Sequence, residues 1–157
     1  MSRAMTKEDR ELFLAHVHIG VLCVRFDPAA PLAVPLWYSY QPGEHIRILT
    51  GPGEKKTLMM EKYSRASLCV QDENPPYRYV TVEGPIVSIE PAHRDRDFRF
   101  LVERYLPEEW VEDYYQTVWP KDKPIEGYML IASLMPERWF TVDYRKYFSW
   151  YFEDKSA

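Results

Sequence analysis

Thr50, Lys55, Lys56 and Arg78 are the side chains of this sequence best suited to gripping an anion. Thr50 closes the apolar run Ile46-Arg-Ile-Leu-Thr50, a Gly-Pro-Gly turn follows, and Lys55 and Lys56 open Glu54-Lys-Lys-Thr-Leu-Met-Met60. A helix start offers unpaired N–H groups and the positive end of its dipole, to which a lysine ammonium and a strand-end hydroxyl add donors. Arg78 lies within the aromatic-rich Pro75-Pro-Tyr-Arg-Tyr-Val-Thr-Val-Glu-Gly84, and Trp37 within Pro31-Leu-Ala-Val-Pro-Leu-Trp-Tyr-Ser-Tyr40. Together these are parts that hold a phosphate beside a flat ring. Taken alone, the same residues also fit a solvated lysine pair, a turn threonine, an arginine on an outer strand face and a tryptophan buried in a core.

Other constellations are weaker. His16-x-His18 would put two rings on one face of a strand, a metal-compatible spacing, but no neighbouring cysteine or carboxylate pair completes a set, so no metal site is expected. Trp139, Tyr144, Arg145 and Lys146 form a late aromatic and basic cluster, and the carboxylates between Asp95 and Asp113 fit solvent-facing helix positions. There is no Gly-x-Ser-x-Gly, P-loop or Rossmann fingerprint, and so no case for a hydrolase triad or a nucleotide-binding doubly wound sheet.

The elements that must position these residues follow from patterning. Thr6-Lys-Glu-Asp9 resembles a capping box with Asp in place of Glu, ahead of a short helix carrying Leu12, Phe13 and Ala15. Apolar or alternating runs predict strands over 17–26, 32–40, 45–50, 65–71 and 77–90, the first three as a meander, with closing strands over 126–135 and 138–143. Helical spacing predicts a helix over 54–63, a second from Pro91 to Tyr105, and a third from Pro107 to before Trp119. Gly84-Pro85 marks a bend or bulge. The expected fold class is α+β, mainly β with helices: a six-stranded antiparallel split β-barrel with helical cover, forming one domain over residues 1–157.

Composition sets outer bounds. An apolar share of 46% with 28% charged residues is globular rather than disordered, and the 15% aromatic share favours strands, interfaces and planar-ligand sites. A formal charge of −4 argues against a general nucleic-acid binder. No signal peptide or membrane-spanning run is evident, so a cytoplasmic protein without nucleic-acid or membrane partners is expected. Cys23 and Cys69, both in apolar runs, read as reduced core thiols.

The order of the Pro-x-Trp-Tyr strand, the Thr after a β-run, the Lys at a helix start and the Pro-Pro-Tyr-Arg-Tyr-Val-x-Val-Glu-Gly stretch resembles the flavin-binding split-barrel family that includes pyridoxamine 5'-phosphate oxidase. The resemblance runs from about Leu12 to Tyr144 and reverses the preference at the lysines. It implies a phosphate held by Lys56, four residues before Met60, with Lys55 matching the base that commonly precedes it and Thr50 beside them. Met59 stands where relatives often have Asn. The resemblance also implies a ring lying along Val34, Pro35, Leu36 and Trp37, a cation at Arg78 near the ring, and Trp139 closing the site across a homodimer interface. The function so implied is an FMN-binding oxidoreductase that passes hydride or electrons to or from a small organic molecule. Alternatives are a deazaflavin coenzyme F-420 reductase, and a non-catalytic flavin or haem carrier with His16 or His18 as axial candidate for iron.

Overall fold

The computed structural model describes residues 2–148. In chain order the elements are α1 (Lys7–Ala15), β1 (Gly20–Val24), β2 (Leu32–Leu36), β3 (Tyr38–Ser39), β4 (Ile46–Thr50), α2 (Lys55–Tyr63), β5 (Arg65–Gln71), β6 (Arg78–His93), α3 (Arg99–Tyr105), α4 (Glu108–Val118), β7 (Glu126–Leu134) and β8 (Arg138–Asp143). A π-helical turn, Arg94–Phe98, feeds α3, and a 3-10 turn, Tyr144–Tyr147, follows β8. Thr6 caps α1 as expected: its hydroxyl oxygen accepts from the Asp9 N–H while its own proton goes to the Asp9 carboxylate.

The fold class is the expected mixed α+β antiparallel split barrel. Among the described residues the strands number eight, against the six expected of the barrel and the seven runs expected as strands. The eighth arises because the run 32–40 divides at Trp37 into β2 and β3; the two closing runs form separate strands as expected, β7 beside β4 and β6, and β8 beside β6 alone. The sheet path is β2-β1-β5-β6-β7-β4-β3. Its two terminal strands are consecutive in the chain, so the curled sheet returns on itself at Trp37. The expected meander is therefore replaced by two separate hairpins, β1 with β2 and β3 with β4.

β6 forms the second corner. Residues 79–83 pair with β5 on one side and β8 on the other, and from Ile86 the strand pairs with β7. Gly84 sits at this bend because a Cβ there would lie 1.8 Å from the Met135 carbonyl oxygen. Pro91 does not open a helix as expected; it continues the strand opposite Leu130, since the β7 pairing holds the backbone extended as far as His93. Cys23 and Cys69 are free and half-buried on the outer sheet face, since the alternate residues Leu22, Val24, Leu68 and Val70 fill the interior.

Two apolar clusters result. Inside the barrel Leu22, Tyr38, Ile46, Ile48, Leu68, Val80, Val82 and Leu134 are fully buried, sealed by Phe13 and Leu14 of α1 and Met60 of α2. Outside it, Phe98, Val102, Val111, Tyr115 and Trp119 of the helical pair cover Ala92 and Ile131. Arg94 fixes that cover: its buried guanidinium donates to the Trp119 carbonyl at 2.6 Å, the Tyr115 hydroxyl at 2.9 Å and Gln116 at 3.0 Å. Gly84→Ala is expected to cost about 1–3 kcal/mol, the usual range for overpacking, because the obstructing atom is backbone. Urea denaturation that shows unchanged stability would contradict this view of the β6 bend.

Candidate functional site

The corner between β4 and α2 is built by short-range chemistry. Gly53, at φ +79°, reverses the chain after Thr50, and Glu54 becomes the N-cap of α2 without a side-chain cap bond. Thr57, in the first turn, is fully buried and donates its hydroxyl proton to the Gly51 carbonyl at 2.7 Å. Thr50, 3% exposed, lies 2.6 Å from the Thr57 hydroxyl. With the Thr57 proton committed to Gly51, Thr50 must be the donor of that bond, so its own proton braces the turn and is not offered outward.

Lys56 is the cation of this corner, and its ammonium is paired with the Glu54 carboxylate. Gly51 permits the arrangement, since a Cβ there would lie 2.4 Å from a Glu54 carboxylate oxygen. An oxyanion therefore already sits against Lys56, at a helix start whose first N–H groups have no intrahelical acceptor. A cavity of about 170 Å³ gathers Trp37, Thr50, Gly51, Glu54 and Lys56 against Phe98 and Tyr114 of the helical cover.

Trp37 reaches that cavity because the strand breaks there. The Tyr105 hydroxyl accepts the Tyr38 N–H at 3.1 Å and lies 2.7 Å from the His18 carbonyl and 3.0 Å from the Tyr38 carbonyl, so it takes over ladder positions that the break leaves open. The Trp37 ring stacks on Tyr105 at 5.0 Å with a 1° interplanar angle. Burial pushes the Tyr105 hydroxyl pKa up, which keeps it protonated as a donor.

Of the residues singled out in the sequence, Trp37, Thr50 and Lys56 meet in this cavity. Val34, Pro35 and Leu36 form the edge strand that leads to it, paired with β1 alone, and Lys55 is exposed beside it. Arg78 lies elsewhere, bonded to Asp72 at 2.6 Å with its guanidinium 4.8 Å over the Phe13 ring. Trp139 lies opposite Val82, with the Arg10 guanidinium 4.6 Å above its ring. His16 caps the end of α1 and His18 precedes β1, so the two do not share a strand face. The His18 ring packs 4.4 Å from Phe13, and burial lowers its pKa. Among the described residues no group of His, Cys, Asp or Glu is arranged to hold a metal. Sequence reasoning missed Glu54, Thr57 and Tyr105.

A second polar knot, at Asp97, ties the helical cover to the barrel. Asp97 is 5% exposed, accepts the His93 N–H at 2.8 Å, and is shared by Arg47 at 3.2 Å and Arg96 at 3.3 Å. Burial pushes its pKa up, but the His93 N–H and the two guanidiniums outweigh that, and the net shift is downward.

The family model described as pyridoxamine 5'-phosphate oxidase matches residues 6–132. No curated protein sequence matches the chain. Among solved structures, an F420 reductase superposes with a TM-score of 0.65 at 22% identity, covering 83% of this chain and 94% of that one. A conserved hypothetical protein from Mycobacterium tuberculosis gives 0.67 at 18% identity, with coverage of 91% and 88%. A FAD-binding protein from Mesorhizobium loti gives 0.57 at 19% identity, with coverage of 87% and 94%. At these identities the likeness is one of fold.

Tyr105→Phe is expected to lower stability by about 1–3 kcal/mol, the cost of orphaning buried backbone groups. Tyr114→Phe, at the more exposed rim, should change it little in the same urea titration. For Asp97 the depressed folded-state pKa means that its contribution is present at neutral pH and is lost as pH falls below the ordinary carboxylate range. Asp97→Asn is expected to lower stability at neutral pH and to flatten its decline in acid, measured as Tm against pH. An unchanged acid slope would contradict the assignment.

Proposed function

Because the chain belongs to the pyridoxamine 5'-phosphate oxidase family, we propose that it is an FMN-binding flavoprotein that passes hydride or electrons to or from a small organic molecule and works as a cytoplasmic homodimer. The observation that carries this proposal is the meeting of Trp37 and Lys56 in one cavity, an aromatic ring and a cation lining a single recess.

The residues present fit the cofactor. The Glu54 carboxylate on Lys56 stands in for a phosphate oxygen, which supports an anion at this position. Lys56 would hold the phosphate, and the N–H groups of Lys55, Lys56 and Thr57 would add donors. Thr50 supports the turn from beneath. Trp37 would stand beside the ring, with the backbone of Val34, Pro35 and Leu36 running along its edge. Bound flavin supplies the two-electron chemistry. The protein's share is to anchor the tail, orient the ring and exclude water with Phe98 and Tyr114. Arg78 serves a ring only if its pair with Asp72 opens.

The recess of one protomer, about 170 Å³, is below the roughly 300–1,000 Å³ of ordinary small-molecule sites. A bound flavin would extend beyond it, where a second copy would close the site; Trp139, which does not line its own protomer's recess, is the side chain proposed to do so. A second reading, the deazaflavin coenzyme F-420, is supported by the fold-level likeness to the F420 reductase.

Protein reconstituted with FMN should retain it through gel filtration and show the two flavin absorption bands; preferential retention of the deazaflavin, with its single near-violet band, would favour the second reading. Lys56→Ala should weaken FMN binding by about 10- to 100-fold, the loss of one charge-assisted contact. Lys121→Ala, at an exposed position of the loop before β7, should leave it unchanged. Equal affinities in the two variants would reject the phosphate assignment.

A further inference from the structure

A cavity of about 510 Å³ lies apart from the one that holds Lys56. It lies between the β3–β4 hairpin, the C-terminal end of α1 and the π-turn with α3, and its volume falls within the roughly 300–1,000 Å³ range of small-molecule sites. Arg47, Arg96 and Arg104 line it together with the carboxylates of Asp97 and Glu44, which leaves one positive charge over.

That charge has an identifiable source. Arg47 and Arg96 share the single carboxylate of Asp97, so two guanidiniums face one countercharge. Arg104 has no carboxylate partner among the described residues; it donates to the carbonyls of Ala15 and His16, at 2.9 and 3.1 Å, and its Nε is buried without an acceptor. Carbonyl contacts satisfy donors but carry no net charge. Beside these cations Phe100 is 51% exposed, in a cleft that Tyr40 also lines.

We propose that this cleft binds a small aromatic monocarboxylate, its carboxylate held by Arg96 and Arg104 and its ring laid against Phe100. One surplus positive charge matches a monoanion better than a dianionic phosphate ester, and guanidiniums bond carboxylates in paired, planar geometry. The half-exposed ring explains why the ligand is aromatic, since covering it removes apolar surface from water and brings cations close to a second π-face. The proposal does not depend on the cofactor assignment, because it involves neither Lys56 nor Trp37.

Benzoate is the probe. Added at millimolar concentration to ¹⁵N-labelled protein, it is expected to shift the amides of Ser39, Arg47, Arg96, Phe100 and Arg104 saturably, whether or not flavin is present. Benzamide, which lacks the charge, and acetate, which lacks the ring, should each bind about tenfold more weakly. Arg96→Gln, at a side chain 69% exposed, should weaken benzoate by about tenfold, and Phe100→Ala by a similar factor without affecting acetate. Arg104→Met should lose binding that Arg104→Lys partly restores. Shifts scattered over the surface, benzamide binding as tightly as benzoate, or full benzoate affinity in Arg96→Gln and Phe100→Ala would each overturn the proposal.

Discussion

The break at Trp37 is the constraint on which the remaining structure depends. A single stretch of chain leaves one end of the curled sheet as β2 and rejoins its other end as β3. A strand cannot change partners without leaving backbone groups unpaired, and unpaired groups are tolerated in the interior only when something else bonds them. Here that partner is one phenol, Tyr105, which accepts from Tyr38 and lies against two carbonyls. Because Tyr105 ends α3, the same contact that closes the sheet docks the helical cover.

Closure has a consequence for chemistry. It turns Trp37 under the helical pair, so that an aromatic ring faces the corner where β4 passes to α2. At that corner the Thr50 and Thr57 hydroxyls and the Gly51 carbonyl form an internal chain that fixes the turn, and the lysine next to Thr57 is left to meet an anion. Glu54 fills that role from within the chain. An entering phosphate would exchange a carboxylate for an oxyanion of greater charge and inherit the helix-start N–H groups, which the Glu54 side chain does not reach. Asp97 and Arg94 tie the outer layer down from the π-turn: Asp97 accepts from Arg47 of β4 and the His93 N–H of β6, and Arg94 donates to the Trp119 carbonyl and the Tyr115 hydroxyl of the cover.

Local signals made much of this legible. The strand expected over 65–71 forms β5 over the same span, and Gly53 ahead of two lysines correctly announced α2. The failures share a cause. The division of 32–40 depends on a hydroxyl far along the chain, and the persistence of β6 through Pro91 depends on pairing with Leu130, so neither is written in local periodicity. At the site, Lys56 and Trp37 were visible by type and spacing. Glu54 and Thr57 were not, because a carboxylate next to a lysine and a threonine in a helix look like surface and filler until the turn brings them together. Arg78 was singled out as a cation in an aromatic-rich segment and Trp139 on resemblance, and within one protomer they lie elsewhere.

The most direct measurement is the ¹H–¹⁵N spectrum of the protein titrated with FMN. The largest shifts are expected on the backbone amides of Lys55, Lys56 and Thr57 and on the Trp37 indole, all moving with a single affinity. Flavin that binds while these signals stay in place, or that moves the indole without the helix start, would contradict this expectation.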